Sequence, residues 1–168
     1  MSEIAQSEAG LVMFSERLTN SAAFGTLFRE GMDLVEETAA YLDGAGRNEA
    51  KTLERSVGLT YATESMRLTT RLMQLASWLL LHRAVKEGEM SLAQANREKT
   101  KVKLTAADPG ATDMVEKLPE ALRELITRSM ALQTKVRRLD ASMHASEPVQ
   151  SGNPLMPQLD RLKAAFER

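Results

Sequence analysis

The run Tyr61-Ala-Thr-Glu-Ser-Met-Arg-Leu-Thr-Thr-Arg-Leu-Met-Gln-Leu-Ala-Ser-Trp-Leu-Leu-Leu-His-Arg-Ala-Val-Lys-Glu-Gly-Glu-Met90 decides the fold. It holds no proline, and its one glycine, Gly88, falls at the end where a helix stops. Its apolar residues recur at three- and four-residue spacing, which predicts a helix starting between Ser56 and Thr60 and running to Gly88. At 1.5 Å per residue, about 29 residues span about 44 Å, enough for the spine of a bundle. Advancing 100° per residue gathers Tyr61, Ala62, Met66, Leu68, Thr69, Leu72, Met73, Leu75, Ala76, Leu79, Leu80 and Ala84 on roughly half of the cylinder. An arc that wide is expected to face two neighbouring helices.

Outward from this spine, both neighbours are legible. Upstream, Asn20 and Ser21 are good N-caps and Gly44 and Gly46 good terminators. Between them Phe24, Leu27, Phe28, Leu34, Val35, Tyr41 and Leu42 form one apolar stripe. Gly25 and Gly31 inside this helix fit either a close helix approach or tolerated surface positions. A turn or helical fragment fills Arg47 to Arg55. Downstream, Ser91-Leu92-Ala93-Gln94 has the S-x-x-Q form of a capping box, opening a short helix toward Lys99 or Lys101. Thr105 to Thr112, with Asp108-Pro109-Gly110, reads as a loop. Pro119 is expected at the first position of the last helix, after a turn from Asp113 to Leu118. There Leu118, Leu122, Leu125, Leu132, Val136, Leu139 and Met143 keep heptad spacing, with Ser129 as the single polar interruption.

The expected fold is therefore all-α: a three-helix bundle over residues 20–145, with a small helical insertion between its second and third helices. An N-terminal arm, residues 1–19, is expected to be mobile. A flexible tail, residues 146–168, carries Pro148, Pro154 and Pro157. Within that tail Leu155, Leu159, Leu162 and Phe166 lie in a narrow arc, the anchor pattern of a helix that docks in a partner's groove or packs back on its own bundle.

Composition supports helices and removes most chemistry. The 168 residues include 23 Leu, 22 Ala and 10 Met against 8 Val and 2 Ile. Unbranched side chains lose little freedom in a helix, whereas strands favour β-branched ones. There are 22 Lys+Arg against 23 Asp+Glu, a net charge of -1, which argues against a nucleic-acid or membrane-surface binder driven by charge. With no cysteine, disulfides, thiol nucleophiles and thiolate metal sites are excluded. His82 and His144 lack the spacing of a helical metal motif, no Glu-x-x-His occurs, and Gly44-Ala-Gly46 follows a helix where a nucleotide fingerprint follows a strand. No cofactor, metal or catalytic residue is nominated, so the chain reads as a non-enzyme. Apolar runs such as Trp78 to Leu81 are far too short to span a membrane, and the start Met1-Ser2-Glu3-Ile4 has no signal-peptide form. A cytoplasmic protein is expected.

Two surfaces stand out for binding. Arg97, Lys99, Lys101 and Lys103 against Glu98 give a local charge of +3, fitting a solvated or acid-docking patch and, less well, DNA. On the long helix, Thr60, Glu64, Arg67, Arg71, Gln74, Trp78 and His82 fall within roughly 80° of one another, opposite the apolar arc. Arg and Trp are enriched in interface hot spots, so Glu64, Arg67, Arg71, Gln74, Trp78 and His82 form the first candidate partner or dimer surface. The competing expectation is that segment 91–102 covers the Trp78 end. The tail residues Leu155, Leu159, Leu162 and Phe166 form the second candidate.

The long-helix run, together with Leu27-Phe-Arg-Glu-Gly-Met32 and Tyr41-Leu-Asp-Gly-Ala-Gly-Arg47, resembles the alphaproteobacterial family named regulator of CtrA degradation. The resemblance is strong from Phe24 to Lys99. It implies a three-helix bundle, a homodimer with a flexible C-terminal tail, and a non-enzymatic adaptor for the protease ClpXP. The implied partners are ClpX or ClpXP, a CpdR-type response regulator, CtrA-type cargo and a cyclic-di-GMP effector protein, assembled at a cell pole in cell-cycle control. A structural homodimer or scaffold without a protease link, and a small DNA-associated regulator, are the alternatives.

Overall fold

A computed structural model describes residues 2–99 and 112–145, with side chains over 21–99 and 113–143. All its elements are helices: α1 Ser2–Asp43, α2 Ala45–Ala50, α3 Arg55–Lys86, α4 Leu92–Lys99, α5 Thr112–Val115 and α6 Glu120–Ala145. By compactness the chain divides into two units, residues 1–136 and 137–168. The first unit is built on α1, α3 and the part of α6 up to Val136. In the second, the described residues are the last turns of α6.

The long helices pack through one apolar core. Phe24, Leu27 and Leu34 of α1 are buried, as are Leu68, Leu75 and Leu79 of α3 and Leu122, Leu125, Leu132 and Val136 of α6. Ion pairs staple α1 to α6 at the surface, Glu37 to Arg128 at 2.7 Å and Glu30 to Lys135 at 3.0 Å. Gly31 is a close approach: a Cβ there would collide with Leu79 Cδ1 and lie 3.6 Å from Leu132 Cδ2. Gly25 faces open space, so the two glycines divide between the two expectations.

Several local signals hold at atomic detail. Gly88, at φ +74, ends α3 in a left-handed conformation that only glycine adopts without strain. Gly88 N–H donates to Val85 O at 3.1 Å and Glu89 N–H to Ala84 O at 3.0 Å, the paired bonds of a Schellman cap. Ser91 and Gln94 form the capping box reciprocally: Gln94 N–H donates to Ser91 Oγ at 3.2 Å, and Ser91 N–H to Gln94 Oε1 at 3.0 Å. Pro119 offers its carbonyl to Arg123 N–H at 3.1 Å and so stands one residue before α6.

Two expectations change. The first helix begins at Ser2, well ahead of the cap residues Asn20 and Ser21, because residues 2–19 include the helix formers Glu, Ala and Leu and contain no proline to stop a helix. Ser and Asn permit a helix start without forcing one. The second change concerns which side of α3 is inside. Its buried residues are Val57, Tyr61, Glu64, Leu68, Arg71, Leu72, Leu75, Trp78, Leu79 and His82. That seam is turned by about 90° from the arc drawn on hydropathy, measured on an ideal 3.6-residue helix. Ala62, Met66, Thr69, Met73 and Leu80, expected inside, are exposed.

Candidate functional site

The stripe of Glu64, Arg67, Arg71, Gln74, Trp78 and His82, expected as an open partner surface, runs largely through the interior. Glu64, Arg71, Trp78 and His82 are buried, while Arg67 and Gln74 are half-buried at its edge. Trp78 is 1% exposed; its ring lies 6.2 Å from that of Phe24 and 4.1 Å from that of His82. Phe24 of α1 thus covers the tryptophan, and α4 lies against α3 with Ala95 buried. A buried tryptophan gains more from shedding water than an exposed one gains from awaiting a partner.

The charged members of the stripe are paired within the bundle. Arg67 Nη1 donates to Glu64 Oε1 at 2.9 Å. Arg71 Nη1 donates to Ser129 Oγ at 2.8 Å, and Ser129 Oγ donates to Ile126 O at 2.7 Å. Ser129, the single polar break in the α6 heptads, therefore exists to receive Arg71. Burial depresses the Arg71 guanidinium below its ordinary value, and the Glu64 carboxylate partly restores it against the like charge of Arg67. Such an arrangement fixes the register of α3 on α6. Near Gly46, Tyr41 donates its hydroxyl to Glu49 Oε2 at 2.8 Å. Burial and the Glu49 carboxylate push that phenol upward, which keeps it neutral.

No group of three or more His, Asp or Glu side chains able to hold a metal ion occurs among the described residues. No described helix is long and apolar enough to cross a membrane. Leu155, Leu159, Leu162 and Phe166, along with Lys101 and Lys103, lie outside the described residues.

The surface that hydropathy concealed lies on the opposite side of α3. Leu59, Met66, Met73 and Leu80 are 72%, 72%, 66% and 52% exposed, one at every seventh residue. Beside this row, Val35, Thr38, Ala39 and Leu42 of α1 and Leu72 and Met73 of α3 line an apolar groove of about 330 Å³. Charge, like hydropathy, points to the wrong side of this helix. Between Leu59 and Leu80 it carries no ionisable side chain, whereas Glu64 and Arg71 occupy the buried seam.

The family described as a protein of unknown function, DUF1465, matches residues 15–166. Among solved structures, RcdA from Caulobacter crescentus is 52% identical, with a TM-score of 0.60, the match covering 71% of this chain and 89% of that one. The chain belongs to the RcdA family. No curated protein is significantly similar in sequence. Membership accounts for the all-α architecture.

Proposed function

We propose that this RcdA-family chain is a non-enzymatic adaptor that brings CtrA-type transcription regulators to the ClpXP protease in cell-cycle control. The observation that carries the reading is 52% identity to RcdA over 89% of that chain. In this reading the bundle is the rigid platform and residues 146–168 are the reach, with Leu155, Leu159, Leu162 and Phe166 capturing cargo. The platform engages ClpX together with a CpdR-type response regulator and a cyclic-di-GMP effector protein. It works as a cytoplasmic homodimer gathered at a cell pole.

The physical mechanism is tethering. Holding a weakly recognised substrate beside the protease raises its local concentration, so avidity exceeds the separate contacts by about 100-fold or more without new chemistry. A reconstituted degradation assay tests this: ClpXP, the response regulator and a labelled CtrA-type regulator, with and without this chain, and with a truncation after Ala145. Accelerated degradation with the full chain, reduced by truncation, is expected. Equal rates in all three, under conditions where ClpXP degrades a control substrate, would remove the adaptor reading and favour the scaffold.

A further inference from the structure

Sulfur in this chain is thioether sulfur only, because it has ten methionines and no cysteine. An oxidant that attacks sulfur therefore acts on methionine, and exposure decides which one reacts first. Met66 and Met73 are 72% and 66% exposed. Met32, Met90, Met114, Met130 and Met143, the other methionines with described side chains, are half-buried. The two open thioethers also share one face of α3, a heptad or about 10 Å apart. Leu59 and Leu80, which end the row, carry no sulfur.

An added oxygen at these positions changes the character of the face. Met73 lines the apolar groove with Val35, Leu42 and Leu72, none of which offers a side-chain hydrogen-bond donor. Of the two hydroxyls in the lining, that of Thr38 is buried and that of Thr69 already donates to Ser65 O at 2.9 Å. A sulfoxide oxygen here is a strong acceptor held by water, and covering it with apolar surface strips that water without a replacement bond. The thioether it replaces is apolar and adaptable. Because both side chains lie outside the core, the change falls on the surface and spares the bundle.

We propose that Met66 and Met73 form a paired, reversible oxidation site that switches the exposed face of α3 from apolar to polar. The oxidant is a peroxide. Each sulfur gives a lone pair to one peroxide oxygen, the O–O bond breaks as the S–O bond forms, and the other oxygen leaves as water. Sulfur loses two electrons and the peroxide gains them. A thiol reductant reverses the step: one sulfoxide and two thiols give thioether, disulfide and water. Neither direction requires a protease or cargo, so the site stands or falls apart from the adaptor reading.

Graded hydrogen peroxide on the purified full chain, followed by peptide mass spectrometry, reads the order of oxidation. Met66 and Met73 are expected to gain one oxygen several-fold faster than the five half-buried methionines, with helical circular dichroism unchanged. Retention on a phenyl hydrophobic-interaction column reads the face itself. Oxidised wild type should elute earlier, and methionine sulfoxide reductases A and B with dithiothreitol should restore its position. Met66→Leu combined with Met73→Leu keeps the face apolar without its sulfur, so most of the peroxide shift should vanish while methionines elsewhere still oxidise. Met66→Gln combined with Met73→Gln should elute early before any peroxide is added. Four results would each overturn the proposal: oxidation of the pair no faster than of the half-buried methionines, a peroxide shift equal in wild type and the Leu variant, a shift that the reductases leave in place, or a Gln variant that elutes with wild type. Loss of helicity ahead of oxidation would do the same, since the sulfurs would then react in an opened chain.

Discussion

At the scale of the residue, the Arg71 to Ser129 bond is the most sensitive point of the core. Both residues are buried, and the hydroxyl sits between a cationic donor and the Ile126 carbonyl. Ser129→Ala removes the acceptor while the guanidinium remains inside, which is expected to cost about 1–3 kcal/mol in urea unfolding. Combining it with Arg71→Met should cost less than the sum of the two single changes, because the buried charge then disappears with its acceptor. An additive double variant would mean that the two side chains act independently. At the surface, Arg128 holds the Glu37 carboxyl below its ordinary range through a direct hydrogen bond. A folded value below the unfolded one stabilises at pH above the ordinary carboxylate range, and that contribution fades as pH falls through the lowered value. With both side chains about half exposed, the pair contributes a few tenths of a kcal/mol. Glu37→Gln should therefore melt slightly below wild type at neutral pH, with the gap closing in acid.

At the scale of the element, α3 separates what sequence conveys from what it hides. Its C-terminal end and the start of α4 were legible because each depends on local chemistry: Gly88 for a left-handed turn, Ser91 and Gln94 for two reciprocal bonds. The seam of α6 was legible because its heptads meet a single polar break. The facing of α3 was not, since hydropathy scored Met66, Met73 and Leu80 as interior and Glu64, Arg71 and His82 as surface. The winning term is non-local: Ser129 and Phe24, distant in sequence, make the polar stripe worth burying. Two adjacent residues test the resulting orientation. Leu72 is buried and Met73 exposed. Leu72→Ala is expected to cost about 2–5 kcal/mol, while Met73→Ala should stay within about 0.5 kcal/mol at concentrations where the chain is monomeric. Equal losses in chemical denaturation would place α3 in the wrong rotation.

At the scale of the whole molecule, the central helix leaves Leu59, Met66, Met73 and Leu80 exposed in one row, and the largest apolar patch of a folded chain is often where it binds. The homodimer of the proposed function has a thermodynamic signature. Whatever binds the folded chain and not the unfolded one stabilises it by mass action, so a self-associating chain melts higher when more concentrated. Wild type is accordingly expected to show a melting temperature that climbs across a dilution series from well below to well above its dimer dissociation constant. Leu72→Ala, which damages the core, should melt below wild type at every concentration and keep the same climb. The comparison separates interface from core, because damage to the bundle would lower the variant at every concentration, while loss of docking lowers it only where wild type is dimeric.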